Sequence, residues 1–239
     1  MRTLLYSLLF LALVSGQERI EFYSKSLAKK VNYQIFYKES SNCLPLVLFL
    51  HGAGRATEKY QFLFSQLDSL YSAEVIPEML LVMPNGNQGY ATGSFFVNSP
   101  LFGNFEDFIV YDLLDHVRSE FDVCPDKYSI IGHSMGGFAA VRLAQKYDTI
   151  FNTAIAHSAP LDLKKIELLI PHVKKEHSGK RFNPASGIYS FLTYCMSGAM
   201  SPNLKKRPFK IDPPFTRDWE IDAEVIERWE LFNLSLIHI

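Results

Sequence analysis

Tyr128-Ser129-Ile130-Ile131-Gly132-His133-Ser134-Met135-Gly136-Gly137 decides how this chain folds. Four strand-forming residues run into Gly-x-Ser-x-Gly, and a helix-compatible run from Phe138 to Tyr147 follows at once. A strand that turns so abruptly into a helix strains the backbone at the central serine and lifts its Oγ above the sheet. A Cβ at position 132 or 136 would collide with the neighbouring strand or helix, so both positions call for glycine. The new helix aims its first N–H groups and the positive end of its dipole at negative charge developing beside the serine. Ser134 is therefore the candidate nucleophile, with Gly132 and Gly136 as the glycines of its turn and Met135 N–H as one oxyanion donor.

Outward from this turn, unbroken apolar runs at Leu46–Leu50, Leu80–Met83, Tyr128–Ile131 and Thr153–Ala156 predict strands buried on both faces of a parallel sheet. Ile20–Tyr23 and the alternating Val31–Tyr37 predict a half-exposed antiparallel pair at the sheet edge. Between the buried runs lie two helical stretches. One runs from about Lys59 to Tyr71, and the other carries Phe105, Ile109, Leu113, Val117 and Phe121 on one stripe. Strand–helix alternation of this kind predicts a doubly wound α/β layer fold with a mostly parallel sheet. Residues 160–215 differ, being rich in lysine and broken by Pro171, Pro184, Pro202 and Pro208. They read as a cap-like insertion with a helix from about Pro184 to Met196. Their cations offer either a solvated face or attraction for an anionic acyl or sugar group.

The chain has 239 residues, 48% of them hydrophobic and 21% charged, which fits one globular domain. A net charge of −1 argues against nucleic acid or a polybasic membrane surface as partner. Met1-Arg2-Thr3, the apolar run Leu4–Val14 and then Ser15-Gly16 have the layout of a secretory leader, cleaved after Gly16. Residues 1–16 are thus the leader and 17–239 the domain, and after cleavage no stable membrane insertion is expected. A secreted, periplasmic or extracellular protein can hold a disulfide. Cys43 and Cys124 each precede a buried strand, so neighbouring parallel strands would bring them together, leaving Cys195 alone. No cysteine pair has metal-ligand spacing, and no metal or cofactor is implied.

His51-Gly52-Ala53-Gly54 follows the strand Leu46–Leu50, where a second oxyanion donor is needed, and Ala53 N–H is the candidate. With this loop beside Gly132–Gly137, the chain resembles an esterase family of the α/β-hydrolase superfamily. That family includes feruloyl and acetylxylan esterases, mycolyltransferases and S-formylglutathione hydrolases. Ser94–Pro100, Gly103–Ile109, Ser197–Asn203 and Glu227–Trp229 resemble further stretches of it. The likeness thus extends over nearly the whole mature chain, and it implies a three-layer sandwich and a serine mechanism. Glu106 and Asp107 precede the nucleophile, against the order Ser, Asp or Glu, His, and are read as favouring a helix N-terminus.

In that family the catalytic acid and histidine follow two further strands beyond the Trp229 region. Only Glu230 to Ile239 remain here, and Leu234–Ile239 resembles the translation of a sequencing adapter. The chain is accordingly read as a fragment lacking its last strands, with genuine sequence ending near Asn233. His157, His172, His177 and His238 follow the serine, as do Asp162, Asp212, Asp218 and Asp222, but none stands in a recognisable base–acid pair. Two functions stay open. One is a secreted serine carboxylesterase acting on a small-molecule or carbohydrate ester through an acyl-enzyme on Ser134, nearly inactive in the chain as it stands. The other is a non-catalytic binding protein on the same scaffold.

Overall fold

The computed structural model describes residues 15–38, 40–54, 60–87, 93–177 and 181–232. Its centre is a six-stranded sheet in the order β1-β2-β4-β3-β7-β8. The strands are β1 (Ser15–Ser24), β2 (Lys29–Lys38), β3 (Leu44–Leu50), β4 (Leu80–Pro84), β7 (Val123–His133) and β8 (Thr153–His157). β5 (Asn98–Ser99) and β6 (Gly103–Asn104) form a separate small ribbon. β1 and β2 pair antiparallel, as their alternating sequence predicts, and β2 pairs antiparallel with β4. β4, β3, β7 and β8 are mutually parallel.

Alternation along the strands sorts the core into two layers. Leu46, Leu48, Leu50, Val82 and Ile130 face one side, where α4 (Met135–Lys146) and the helical stretch from Phe105 to Glu120 cover them. Val47, Leu81 and Met83 face the other, covered by Phe64 and Tyr71 of α1 (Gln61–Ser72). A sheet between helical layers is the three-layer α/β sandwich predicted from the sequence. α1 runs from Gln61 to Ser72, and Lys59, where the predicted helix starts, lies outside the described residues.

The stripe of Phe105, Ile109, Leu113 and Val117 is wholly buried. Residues four apart drift about 40° per step on a 3.6-residue helix, so so long a stripe needs correction. The helix supplies it: α2 (Phe105–Asp107) and α3 (Leu114–Glu120) flank a π-helical segment, Phe108–Leu113. The wider i→i+5 turn takes up the drift. Phe121 lies just past the helix and meets Tyr37 edge-on at 5.4 Å.

Two expectations need correction. β8 forms where predicted, but all five of its residues are exposed, Ile155 by 52%. Among the described residues it is the outermost strand, with β7 and α4 as its main neighbours, and no described strand pairs with its other edge. The predicted helix Pro184–Met196 is displaced towards the C-terminus. A 3₁₀ turn, Pro184–Ser186, is capped by the Asn183 side chain, and α6 (Ile188–Met200) begins only after extended Gly187. The lysine-rich stretch also folds into α5 (Ile170–His177), which its prolines had obscured.

Cys43 and Cys124 are joined by a disulfide, with Cα atoms 4.8 Å apart, and Cys195 is free and buried. Leu44 pairs with Val123 on the parallel strands, as that bridge requires. Far along the chain, α7 (Ala223–Glu230) brings Trp229 Nε1–H to Ser201 Oγ at 2.9 Å, and Arg228 to Asp212 at 2.8 Å. The two stretches that carried the C-terminal part of the resemblance are thus packed together. Ser15 and Gly16 are the first residues of β1. The rest of the predicted leader and the stretch 233–239 lie outside the described residues, and no described helix is long and apolar enough to cross a membrane.

Candidate active site

The ends of β3, β7 and β8 carry the candidate site. Ser134 sits at φ 52°, ψ −115°, a left-handed backbone that a serine adopts only under constraint. Its N–H donates to His157 O at 2.8 Å, and its C=O accepts from Phe138 N–H at 3.0 Å. These bonds hold the strained residue between β8 and α4. A Cβ on Gly132 would lie 2.0 Å from Gly136 O, and one on Gly136 would lie 1.9 Å from Leu50 O. Both glycines are therefore obligatory for this turn.

The loop after β3 lies against the serine. A Cβ on Gly52 would come within 3.5 Å of Ser134 Cβ and 3.1 Å of His133 Nδ1. Met135 opens α4, whose first N–H groups have no intrahelical acceptor. Among the described residues, neither Met135 N–H nor Ala53 N–H has a hydrogen-bond acceptor. Both predicted oxyanion donors thus lie on segments adjoining Ser134 and have no bond to surrender. Gly93 and Cys195 back this loop, since a Cβ on Gly93 would meet Cys195 Sγ at 2.5 Å and Ala53 Cβ at 3.5 Å.

His51 and Tyr60 hold the loop, and sequence reading assigned neither of them a role. His51 Nε2 accepts from Gly86 N–H at 2.8 Å while Nδ1–H donates to Gly52 O at 2.7 Å. Burial pushes its pKa down to about 4, so the ring stays neutral and both bonds persist. Tyr60 OH accepts from Gly52 N–H at 3.4 Å and shares a hydrogen bond of 2.8 Å with His133 Nδ1. The His133 pKa is lowered by burial and then by the neighbouring His157, whose ring centroid is 5.3 Å away.

The remaining candidates do not assemble a triad. Among the described residues no histidine nitrogen bonds Ser134 Oγ, and no histidine bonds a carboxylate. His157 Nδ1 lies 3.2 Å from Ser158 Oγ on the exposed edge, and His172 stacks on Tyr189. His177 is buried between Val173 O and Asn183 N–H. Asp162 and Asp222 cap helices, Asp212 is bound by Lys206, Arg228 and Asn203, Asp218 is exposed, and His238 lies outside the described residues. Glu106 lies in the first turn of α2 with Asp107, as expected, and makes ion pairs besides. Its carboxylate is buried and bound by Arg142, Lys146 and Tyr147, tying α2 to α4. Burial alone would raise its pKa, but the bonds from Lys146 and Arg142 outweigh it and hold it low. Asp107, in the same turn, accepts from Asn98 Nδ2 at 2.9 Å. Among the described residues no cluster of three His, Cys, Asp or Glu could hold a metal ion.

Known proteins resemble this chain in sequence and fold. A protein of Mycobacterium tuberculosis named as an esterase is 31% identical over 141 residues, covering 57% of this chain. The chain spans only 30% of that relative's length. A ferulic acid esterase structure superposes with a TM-score of 0.58 at 22% identity, covering 63% of this chain and 61% of its own. An S-formylglutathione hydrolase from Agrobacterium tumefaciens gives 0.57 at 17% identity, covering 69% and 65%. The fluorophosphonate-binding serine hydrolase F of Staphylococcus aureus gives 0.55 at 20% identity, covering 64% and 60%. These likenesses share the α/β-hydrolase fold. The family described as "Putative esterase" matches residues 24–228, from the end of β1 into α7. With a match over most of its length and the strained Gly-x-Ser-x-Gly turn at its centre, the chain belongs to this esterase family.

Proposed function

We propose that this chain is the core of a serine carboxylesterase. Ser134 Oγ attacks the ester carbonyl while Ala53 and Met135 N–H hold the oxyanion. A base takes the serine proton and returns it to the leaving alkoxide. Water then attacks the acyl-enzyme, releasing the acid and restoring the serine. The observation that carries this reading is the left-handed Ser134 backbone between two glycines that tolerate no Cβ. Oxyanion donors of this kind typically contribute about 3–4 kcal/mol each to the barrier. An extracellular, acylated carbohydrate is the favoured substrate class. The Cys43–Cys124 disulfide supports an oxidising compartment, and the name of the ferulic acid esterase supports an acyl-ester substrate.

One observation favours the second reading, a binding protein on this scaffold: no described histidine side chain bonds Ser134 Oγ. A chromogenic short-chain acyl ester separates the two. For the esterase, hydrolysis is slow, disappears in Ser134→Ala, and accelerates when free imidazole supplies the missing base. Turnover that is unchanged in Ser134→Ala, or absent with and without imidazole, assigns the scaffold to binding instead.

A further inference from the structure

A cavity of about 460 Å³ lies away from the glycine turn, between the segments around Arg181, Lys206–Ile211 and Pro213–Trp219. Its volume falls in the range of small-molecule sites, roughly 300–1,000 Å³. One part of its lining is aromatic: Phe182, Phe209, Phe215 and Trp219. These rings brace one another, with centroids 4.9 Å apart for Phe215–Trp219, 5.6 Å for Phe182–Phe215 and 6.1 Å for Phe182–Phe209. His177 supports two of them, Phe182 at 5.4 Å and Trp219 at 5.1 Å, with both its ring nitrogens bonded. Phe182, Phe209 and Trp219 nevertheless keep part of their surface open. The rings pack on one another and on His177 while leaving part of the wall exposed.

The rest of the lining is cationic. Lys206 is satisfied by Asp212, at 2.6 Å, and Asp212 is already shared with Arg228. Arg181, Arg207, Lys210 and Arg217 have no ion pair among the described residues. Asp218 and Glu220 flank Trp219 in sequence but do not line the cavity. Four uncompensated cations around one cavity repel one another, and an anionic guest relieves that repulsion. Elsewhere the basic run is ordinary surface: Lys164 pairs with Glu230 at 2.7 Å, and Lys174 and Lys175 are exposed.

We propose that this cavity binds an acidic oligosaccharide, whose sugar rings pack on the Phe182–Phe209–Trp219 wall and whose carboxylates or sulfates meet the arginines and Lys210. One carboxylate does not need four cations. A nucleotide concentrates its charge at one end, whereas these cations come from three separate segments around the rings. Repeated rings with a charge on each match that distribution. The choice of a saccharide rests on the carbohydrate-ester reading of Ser134, but binding itself requires no hydrolysis.

Trp219 gives a direct probe, since the other tryptophan, Trp229, is fully buried elsewhere. The protein is titrated with tetragalacturonate, a sulfated tetrasaccharide, neutral maltotetraose, ATP and inorganic sulfate, following tryptophan emission. Saturable binding of either acidic oligosaccharide is expected, at least tenfold tighter than that of maltotetraose or ATP. It should weaken at least tenfold in Arg181→Ala/Arg217→Ala and again on raising salt from 0.05 to 0.5 M. Both arginines are exposed, so circular dichroism of that variant should match the parent. Ser134→Ala should bind as the parent does, which separates this site from any failure of the hydrolase reading. Equal binding of the neutral sugar, preference for ATP or sulfate, no saturable change, or indifference to the double substitution overturns the proposal. Comparing the two acidic sugars decides between carboxylate and sulfate.

Discussion

Ser134 and its glycines are a local device, and local devices are readable from a short stretch of sequence. The strand, the two glycines and the helix are adjacent in the chain, so the turn that puts Ser134 at φ 52° can be read from neighbours, although Leu50 O and His157 O, distant in sequence, help to hold it. His51 and Tyr60 are different. The bond from His51 to Gly86 spans 35 positions and that from Tyr60 to His133 spans 73, so only the folded sheet brings them together. His51 also carries a pH dependence. Its folded pKa, about 4, lies below the ordinary value of 6.5, so unfolding takes up a proton between those limits. Its neutral-state stabilisation is complete above pH 6.5 and is lost as pH falls towards 4. By linkage, about 2 kcal/mol should disappear between pH 8 and pH 5. Urea unfolding at the two pH values checks this, and in His51→Asn the pH dependence across that range should largely vanish.

Among the elements, the central strands were the most readable because burial on both faces leaves nothing but apolar residues. The same logic failed at β8. Its run Ala154-Ile155-Ala156 has the composition of a buried strand, yet it stands exposed at the sheet edge. Composition reports what a strand is suited to, whereas burial depends on what packs against it. The π-helical turn at Phe108–Leu113 was equally hidden, although the stripe of residues four apart that requires it was plain. α5 escaped notice because Pro171 was read as a break, and α6 was started too early because Asn183 and Pro184 open a separate 3₁₀ turn before it. The disulfide was inferred from strand adjacency, and the register of β3 with β7 bears it out. Closing a loop of 81 positions, it should contribute on the order of 4 kcal/mol by restricting the unfolded chain. Cys43→Ser/Cys124→Ser should unfold at correspondingly lower denaturant, with the parent protein falling to the same midpoint once reduced.

At the scale of the whole molecule, the order β1-β2-β4-β3-β7-β8 places the ends of β3 and β7 side by side, and with them the segments holding Ala53, Ser134 and Met135. That placement, together with a family match from 24 to 228, supports ester chemistry more firmly than any one motif. In the proposed reading Ser134 is the nucleophile and Ala53 and Met135 N–H are its donors, while among the described residues no histidine side chain bonds the serine hydroxyl. Removing a triad member elsewhere leaves a residual acceleration of roughly 10³–10⁴ over water, from the oxyanion donors and binding. Ser134 should therefore react slowly but selectively. The most direct measurement is prolonged incubation with a fluorophosphonate, followed by intact-mass and peptide mass spectrometry. A single adduct on the peptide holding Ser134, absent from Ser134→Ala, is the expected result. No adduct, or equal labelling of other serines in both proteins, would contradict the assignment of Ser134 as the nucleophile.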